Sequence, residues 1–96
     1  MRMIIVSGKL YVDATERDAY VESCLEVIEA ARAAPGCVDF HLSADPIETT
    51  RINVFEQWDS VADVEAFRGS GPSSEQATAI RDAAVFQHEL ASTTRL

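Results

Sequence analysis

Trp58 is the only tryptophan of this 96-residue chain. An indole N–H can hold a ligand oxygen and the ring can stack on an aromatic ligand; a tryptophan at a strand end also serves as a core anchor. Asn53 precedes it on the same apparent strand, with opposite parity. Its amide could bond a phenolic oxygen, or could be a hydrogen-bonded surface or interface residue. His41 and His88 are the only histidines. An imidazole near its unperturbed pKa accepts protons at neutral pH, although both also suit structural roles in strands. Their placement fits no metal-ligand spacing. Arg68 follows Phe67 beside a glycine-rich run, where a guanidinium could balance an oxyanion or simply form a salt bridge. Phe67, His41 and Phe55 could line an aromatic ligand, and Phe67 could equally be core. Glu56 reads as structural, a buried carboxylate or a partner of Arg51 or Arg81. Apolar walls with a few polar groups are the usual make-up of a small-molecule site.

The composition narrows what such a site could serve. A net charge of −8 leaves nothing to displace counterions from a phosphate backbone, and argues against nucleic acid and anionic membranes alike. The apolar share of 47 % is enough for a core. Cys24 and Cys37 lack CxxC spacing and make no disulfide framework, so both read as reduced core residues of a soluble, cytoplasmic protein. The apolar start, Met1 to Val6, is too short for a signal peptide or a membrane span.

The elements that must position these residues follow from periodicity. Met3 to Val12 is rich in β-branched and aromatic residues and reads as a strand. Asp13-Ala14-Thr15-Glu16 resembles a capping box opening a helix of about five turns. Its apolar face would be Tyr20, Val21, Cys24, Leu25, Val27, Ile28 and Ala31, and Pro35-Gly36 would end it. Cys37 to Asp45 alternates, with Val38, Phe40 and Leu42 opposite Asp39, His41 and Ser43. Asp45 to Thr49 is a turn. Arg51 to Trp58 alternates again, with Ile52, Val54, Glu56 and Trp58 opposite Asn53, Phe55 and Gln57. Ser60 to Asp63 caps a short helix carrying Val64 and Phe67. Gly69-Ser70-Gly71-Pro72 breaks it; the run lacks any phosphate-loop pattern and would form a flexible pocket edge. A further helix with Ala77, Ile80 and Ala84 would follow Pro72. Val85 to Leu96 would be the last strand.

This βαββαβ order predicts one α+β domain over residues 1–96, a ferredoxin-like split βαβ fold. A four-stranded antiparallel sheet would carry helices on one face. Its other face holds apolar residues as well and needs a cover, for which a second copy is the simplest candidate.

Pro35-Gly36-Cys37 through Phe40, then Asp45-Pro46, then Phe55-Glu56-Gln57-Trp58-Asp59-Ser60, resemble the antibiotic biosynthesis monooxygenase family, and the element order follows that family along nearly the whole chain. The resemblance implies a dimeric α+β barrel with two sheets face to face and a pocket between each sheet and its helices. It implies a cofactor-independent monooxygenase, without metal or flavin, oxidising a quinol or anthrone-like phenol with molecular oxygen. Asn53 lies near a site asparagine of such oxygenases. Trp58, Asn53 and Arg68 would orient the substrate and stabilise its anion, with His88 or His41 as base if the protein supplies one. Two departures stand out. Phe67 occupies the place of a helical histidine in many relatives, and Ser73 or Ser74 that of a second. The haem-degrading members use a first-strand asparagine, where this chain has Ser7. The alternatives are a non-catalytic barrel binding a small aromatic metabolite and a non-redox polyketide cyclase or isomerase.

Overall fold

The computed structural model describes residues 2–69 and 79–96. The chain runs through β1 (Ile4–Tyr11), α1 (Arg17–Ser23), α2 (Leu25–Ala33), β2 (Cys37–Ala44), β3 (Arg51–Trp58), α3 (Val61–Arg68) and β4 (Asp82–Glu89). The four strands form one antiparallel sheet in the order β2-β3-β1-β4. The helices pack on one face only, so the expected ferredoxin-like α+β fold is the observed one.

Alternation along the strands builds the core. Ile4 and Val6 of β1 and Ile52, Val54 and Trp58 of β3 are buried beneath Tyr20, Cys24, Ile28, Ala31 and Val64 of the helices. Each fully buried aliphatic side chain contributes about 1.5–3 kcal/mol. The opposite face carries Ile5, Ser7, Lys9 and Tyr11 of β1, paired with Gln57, Phe55, Asn53 and Arg51 of β3.

The long first helix is two. Ser23 Oγ donates to the Tyr20 carbonyl at 2.6 Å, and the Cys24 N–H turns to the Val21 carbonyl instead. A serine that bonds back to its own helix competes with the backbone ladder and bends it. Past the bend Leu25, counted on the apolar face, is 53 % exposed. The expected capping box is also absent. The Glu16 side chain caps nothing, and the Asp13 carboxylate instead receives Arg81 at 3.0 Å. A backbone bond from Arg81 to Tyr11 brings that guanidinium there. Ser60, by contrast, caps α3 as expected, accepting from the Asp63 N–H at 3.2 Å.

A bulge between Cys37 and Asp39 shifts the β2–β3 register and leaves Val38 exposed rather than in line with Phe40 and Leu42. Arg32 bonds the Phe40 carbonyl at 2.8 Å just beyond it. The bulge follows a tight approach. Gly36 has φ +81, its carbonyl takes the Asp59 N–H at 2.8 Å, and a Cβ there would run into the Asp63 carboxylate. At the far end of the hairpin Asp45 Oδ2 accepts from the N–H groups of Ile47 and Glu48 at 3.0 and 2.8 Å, the side chain closing the turn.

The last strand begins at Asp82 and ends at Glu89, earlier at both ends than read from sequence. Ala84, assigned to a helical stripe, lies in β4 opposite Lys9. Gly8 permits this pairing, because a Cβ on it would meet the Ala84 carbonyl and Val85 Cα. Ile80 packs partly buried against the core. Ser70, Gly71 and Pro72 of the expected helix break, Ser73, Ser74 and Ala77 lie outside the described residues.

Candidate functional site

Trp58 ends β3 at the centre of the helix-side core and is 0 % exposed. Phe67 of α3 lies over it, ring centroids 5.4 Å apart at 33°, and meets Phe40 of β2 edge-on at 5.7 Å and 68°. The indole N–H is already engaged. Trp58 Nε1 donates to Glu56 Oε1 at 3.0 Å. Residues two apart on a strand share a face, so the carboxylate and the indole sit side by side.

Glu56 belongs to a row of side chains that crosses all four strands on the helix face: Phe40, Glu56, Val6 and Gln87. It is half-buried. Burial raises its carboxyl above the ordinary 4.5, while the Trp58 hydrogen bond and the charge of Arg68 pull it back. Neither arginine proposed as its partner reaches it. Arg51 bonds Asn53 and lies near Asp45 and Glu48, and Arg81 pairs with Asp13. The rim beside Glu56 is polar and exposed. Arg68 Nη1 donates to Gln87 Oε1 at 2.9 Å. Cys37 completes the surroundings on β2; burial first, then Asp39 and Glu56, pushes its thiol pKa up. Together these groups make a buried aromatic floor, a half-buried carboxylate and a cationic rim.

Trp58, Phe67 and Arg68 therefore come together. The other residues singled out from sequence lie on the sheet's opposite face. His41 stacks on Phe55, centroids 5.4 Å apart at 27°. Phe55, Ser7 and Phe86 continue the same cross-strand row, and His88 pairs with Ile5 in the next. Asn53 is fully engaged in holding the hairpin, accepting from Arg51 Nε at 2.6 Å and donating to Asp45 Oδ1 at 2.9 Å. Those contacts depress Asp45 from 3.8 to about 2, the Glu48 backbone N–H first, then Asn53 and the Ile47 N–H.

Of the helix-face group, Gln87 escaped sequence reasoning altogether, and Glu56 was read from sequence as structural only. The signal for Glu56 was its spacing from Trp58, which places a carboxylate beside an indole. Gln87 needed the β4 register, which sequence had displaced. A shallow hollow of about 180 Å³, lined by Arg2, Ser60, Val61, Ala62 and Glu89, contains none of these residues. Among the described residues, no three His, Cys, Asp or Glu side chains gather as metal ligands, and no helix is long and apolar enough to cross a membrane.

Comparison with known proteins gives the arrangement a family. A Deinococcus radiodurans structure named for the antibiotic biosynthesis monooxygenases superposes with a TM-score of 0.82 over 97 % of each chain, at 16 % identity. One from Nitrosomonas europaea, named alike, gives 0.82 over 98 % of this chain and 95 % of its own, at 15 % identity. A third, from Chloroflexus aurantiacus, is 23 % identical over 97 % of both chains with a TM-score of 0.74. No curated protein sequence matches the chain. Residues 3–88 match the family model itself, and the chain is a member of the antibiotic biosynthesis monooxygenase family.

Proposed function

We propose that this protein is a cofactor-independent monooxygenase that oxidises a quinol or an anthrone-like phenol with molecular oxygen. Family membership supports the reaction class. The observation that carries the reading is the Trp58–Phe67–Phe40 aromatic floor with the Arg68 guanidinium at its rim. A flat aromatic substrate stacks on such a floor, and the guanidinium holds the oxyanion formed when the substrate loses a proton. The electron-rich anion passes an electron to oxygen, and the two radicals combine. Loss of water then leaves a carbonyl. One anthrone methylene and one O2 give one quinone carbonyl and one water, so no external reductant is needed.

The open sheet face serves assembly in this proposal. Phe55, His41, Phe86 and His88 face a second copy in a homodimer, and Asn53 acts by fixing the hairpin beneath them. Cytoplasmic location, read from the two cysteines, and the lack of nucleic-acid or membrane partners, read from the acidic composition, are part of the proposal.

Oxygen uptake by metal-stripped protein across a panel of quinols and anthrones tests the reading, with Arg68→Ala alongside. Uptake well above autoxidation, reduced at least ~10-fold in the variant, is the expected result. No uptake across the panel would overturn it. One observation favours a second reading, a non-catalytic barrel that binds an aromatic metabolite: Trp58 offers no free N–H to a ligand. Panel compounds that bind without turnover would establish that reading instead.

A further inference from the structure

We infer that Glu56 is the group that takes the proton from the substrate, held for that task by Trp58 and served by Arg68 and Gln87 at the rim. The inference rests on the oxygenase reading above and names the base that reading leaves open. Both histidines lie on the far face of the sheet from the aromatic floor, so within one subunit neither adjoins a substrate stacked on Phe67. Glu56 does. Its Oε1 is fixed by the indole N–H at 3.0 Å, and among the described residues no hydrogen bond reaches Oε2. The carboxylate keeps partial exposure while the ring beneath it has none. Among the described residues, the titratable groups facing it are Arg68 from α3 and Cys37 from β2; Val6 and Gln87 face it from β1 and β4 without charge.

In the step itself the phenolic O–H, or the acidic C–H of an anthrone, breaks. The proton goes to Glu56 Oε2 and the electron pair stays on the substrate, where Arg68 balances the new negative charge. Oxygen then reacts with the anion, and the carboxylic acid returns its proton as water leaves. Burial supports this role by making the carboxylate a better base than one in water.

Proton abstraction can be read without oxygen. Under anaerobic conditions in D2O, the protein should exchange the acidic C–H of anthrone for deuterium. Glu56→Gln keeps the shape and the acceptor for Trp58, and should slow exchange by ~100-fold or more while ligand binding, followed by Trp58 fluorescence, changes little. Glu56→Ala should be equally slow and should recover with added formate or acetate, which a purely structural role would not allow. Exchange by Glu56→Gln at the wild-type rate overturns the inference, as does loss of exchange in His88→Asn alone. Wild-type exchange without aerobic oxygen uptake would keep Glu56 as base and refute the oxygenase. Neither exchange nor uptake would refute both.

Discussion

Replacing Trp58 by phenylalanine tests the core of this site with a measurement of stability alone. The substitution does two things. It shrinks a ring that is 0 % exposed, and it removes the only donor that the described residues supply to the Glu56 carboxylate. The smaller ring leaves a partial cavity costing about 1–2 kcal/mol, below the range for truncation to alanine. A hydrogen bond to a charged group is worth about 1.5–3 kcal/mol, and Glu56 keeps enough contact with solvent to reduce that to about 1–2. The total is about 2–4 kcal/mol at neutral pH. A domain of this size holds about 5–15 kcal/mol and loses about 4–8 °C per kcal/mol, so the variant should still fold, with Tm lower by about 10–30 °C.

The pH dependence separates the two contributions. Folded Glu56 keeps its proton to a higher pH than it does in the unfolded chain. Its contribution to stability is therefore full below the ordinary carboxyl value of 4.5 and is lost as pH rises through the raised folded value. Without the indole N–H that folded value rises further, and more stability is lost. The deficit of the variant should be about 1–2 kcal/mol in acid, from the cavity alone, and should widen toward neutrality. Thermal unfolding of both proteins from about pH 4 to about pH 8 reads it directly. A deficit constant over that range would mean that the indole does not support the ionised carboxylate, and the geometric basis for Glu56 as base would fail.

Phe86 is 63 % exposed on the open sheet face, in the row that also holds Phe55 and His41. Burying such a ring removes about 150–250 Å² from water per subunit, so Phe86→Asp should convert a dimer to a monomer in light scattering, whereas a monomeric wild type would refute the proposed assembly. Asp45→Ala should lower Tm at neutral pH. Because Asp45 is depressed from 3.8 to about 2, its contribution is present above the unfolded value and lost as pH falls through the folded one, so the two melting curves should converge toward pH 2. A gap that persists in acid would deny the carboxylate its role in the turn.

Strand β3 was legible because its alternation is unbroken: Ile52, Val54 and Trp58 are buried as their parity required, with Glu56 among them. The misreadings have physical causes that periodicity does not carry. Val38 has the right parity for the core, but a bulge adds one residue there and turns it outward. The helix seam at Cys24 comes from a hydroxyl that competes for a backbone carbonyl, and a count of apolar positions is blind to it. Ala83 and Ala84 are favourable in a helix; pairing with β1 across Gly8 makes them strand. The candidate site was legible as residue types and not as a place. Parity alone already put Asn53 and Phe55 on the face opposite Trp58. Arg68 found its partner Gln87 only through the β4 register, and the Asp45–Arg51–Asn53 cluster only through the turn that folds it.

Glu56 is the least economical residue in the sheet. Its neighbours on the same face of β3, Val54 and Trp58, are buried, and the row it occupies includes Phe40 and Val6. An aliphatic side chain in that place would add apolar burial and would not need a hydrogen-bond donor. Instead the fold holds a carboxylate whose ionised form is disfavoured by burial, spends the one indole N–H of the chain on a single oxygen, and sets a guanidinium nearby without closing an ion pair. A structural carboxylate would be expected to gain the full pair, as Asp13 does with Arg81 at 3.0 Å. With one hydrogen bond among the described residues, half-exposed and next to a tilted aromatic pair, Glu56 is arranged to lose stability in return for reactivity. Local sequence preference and global packing conflict most often at positions kept for function.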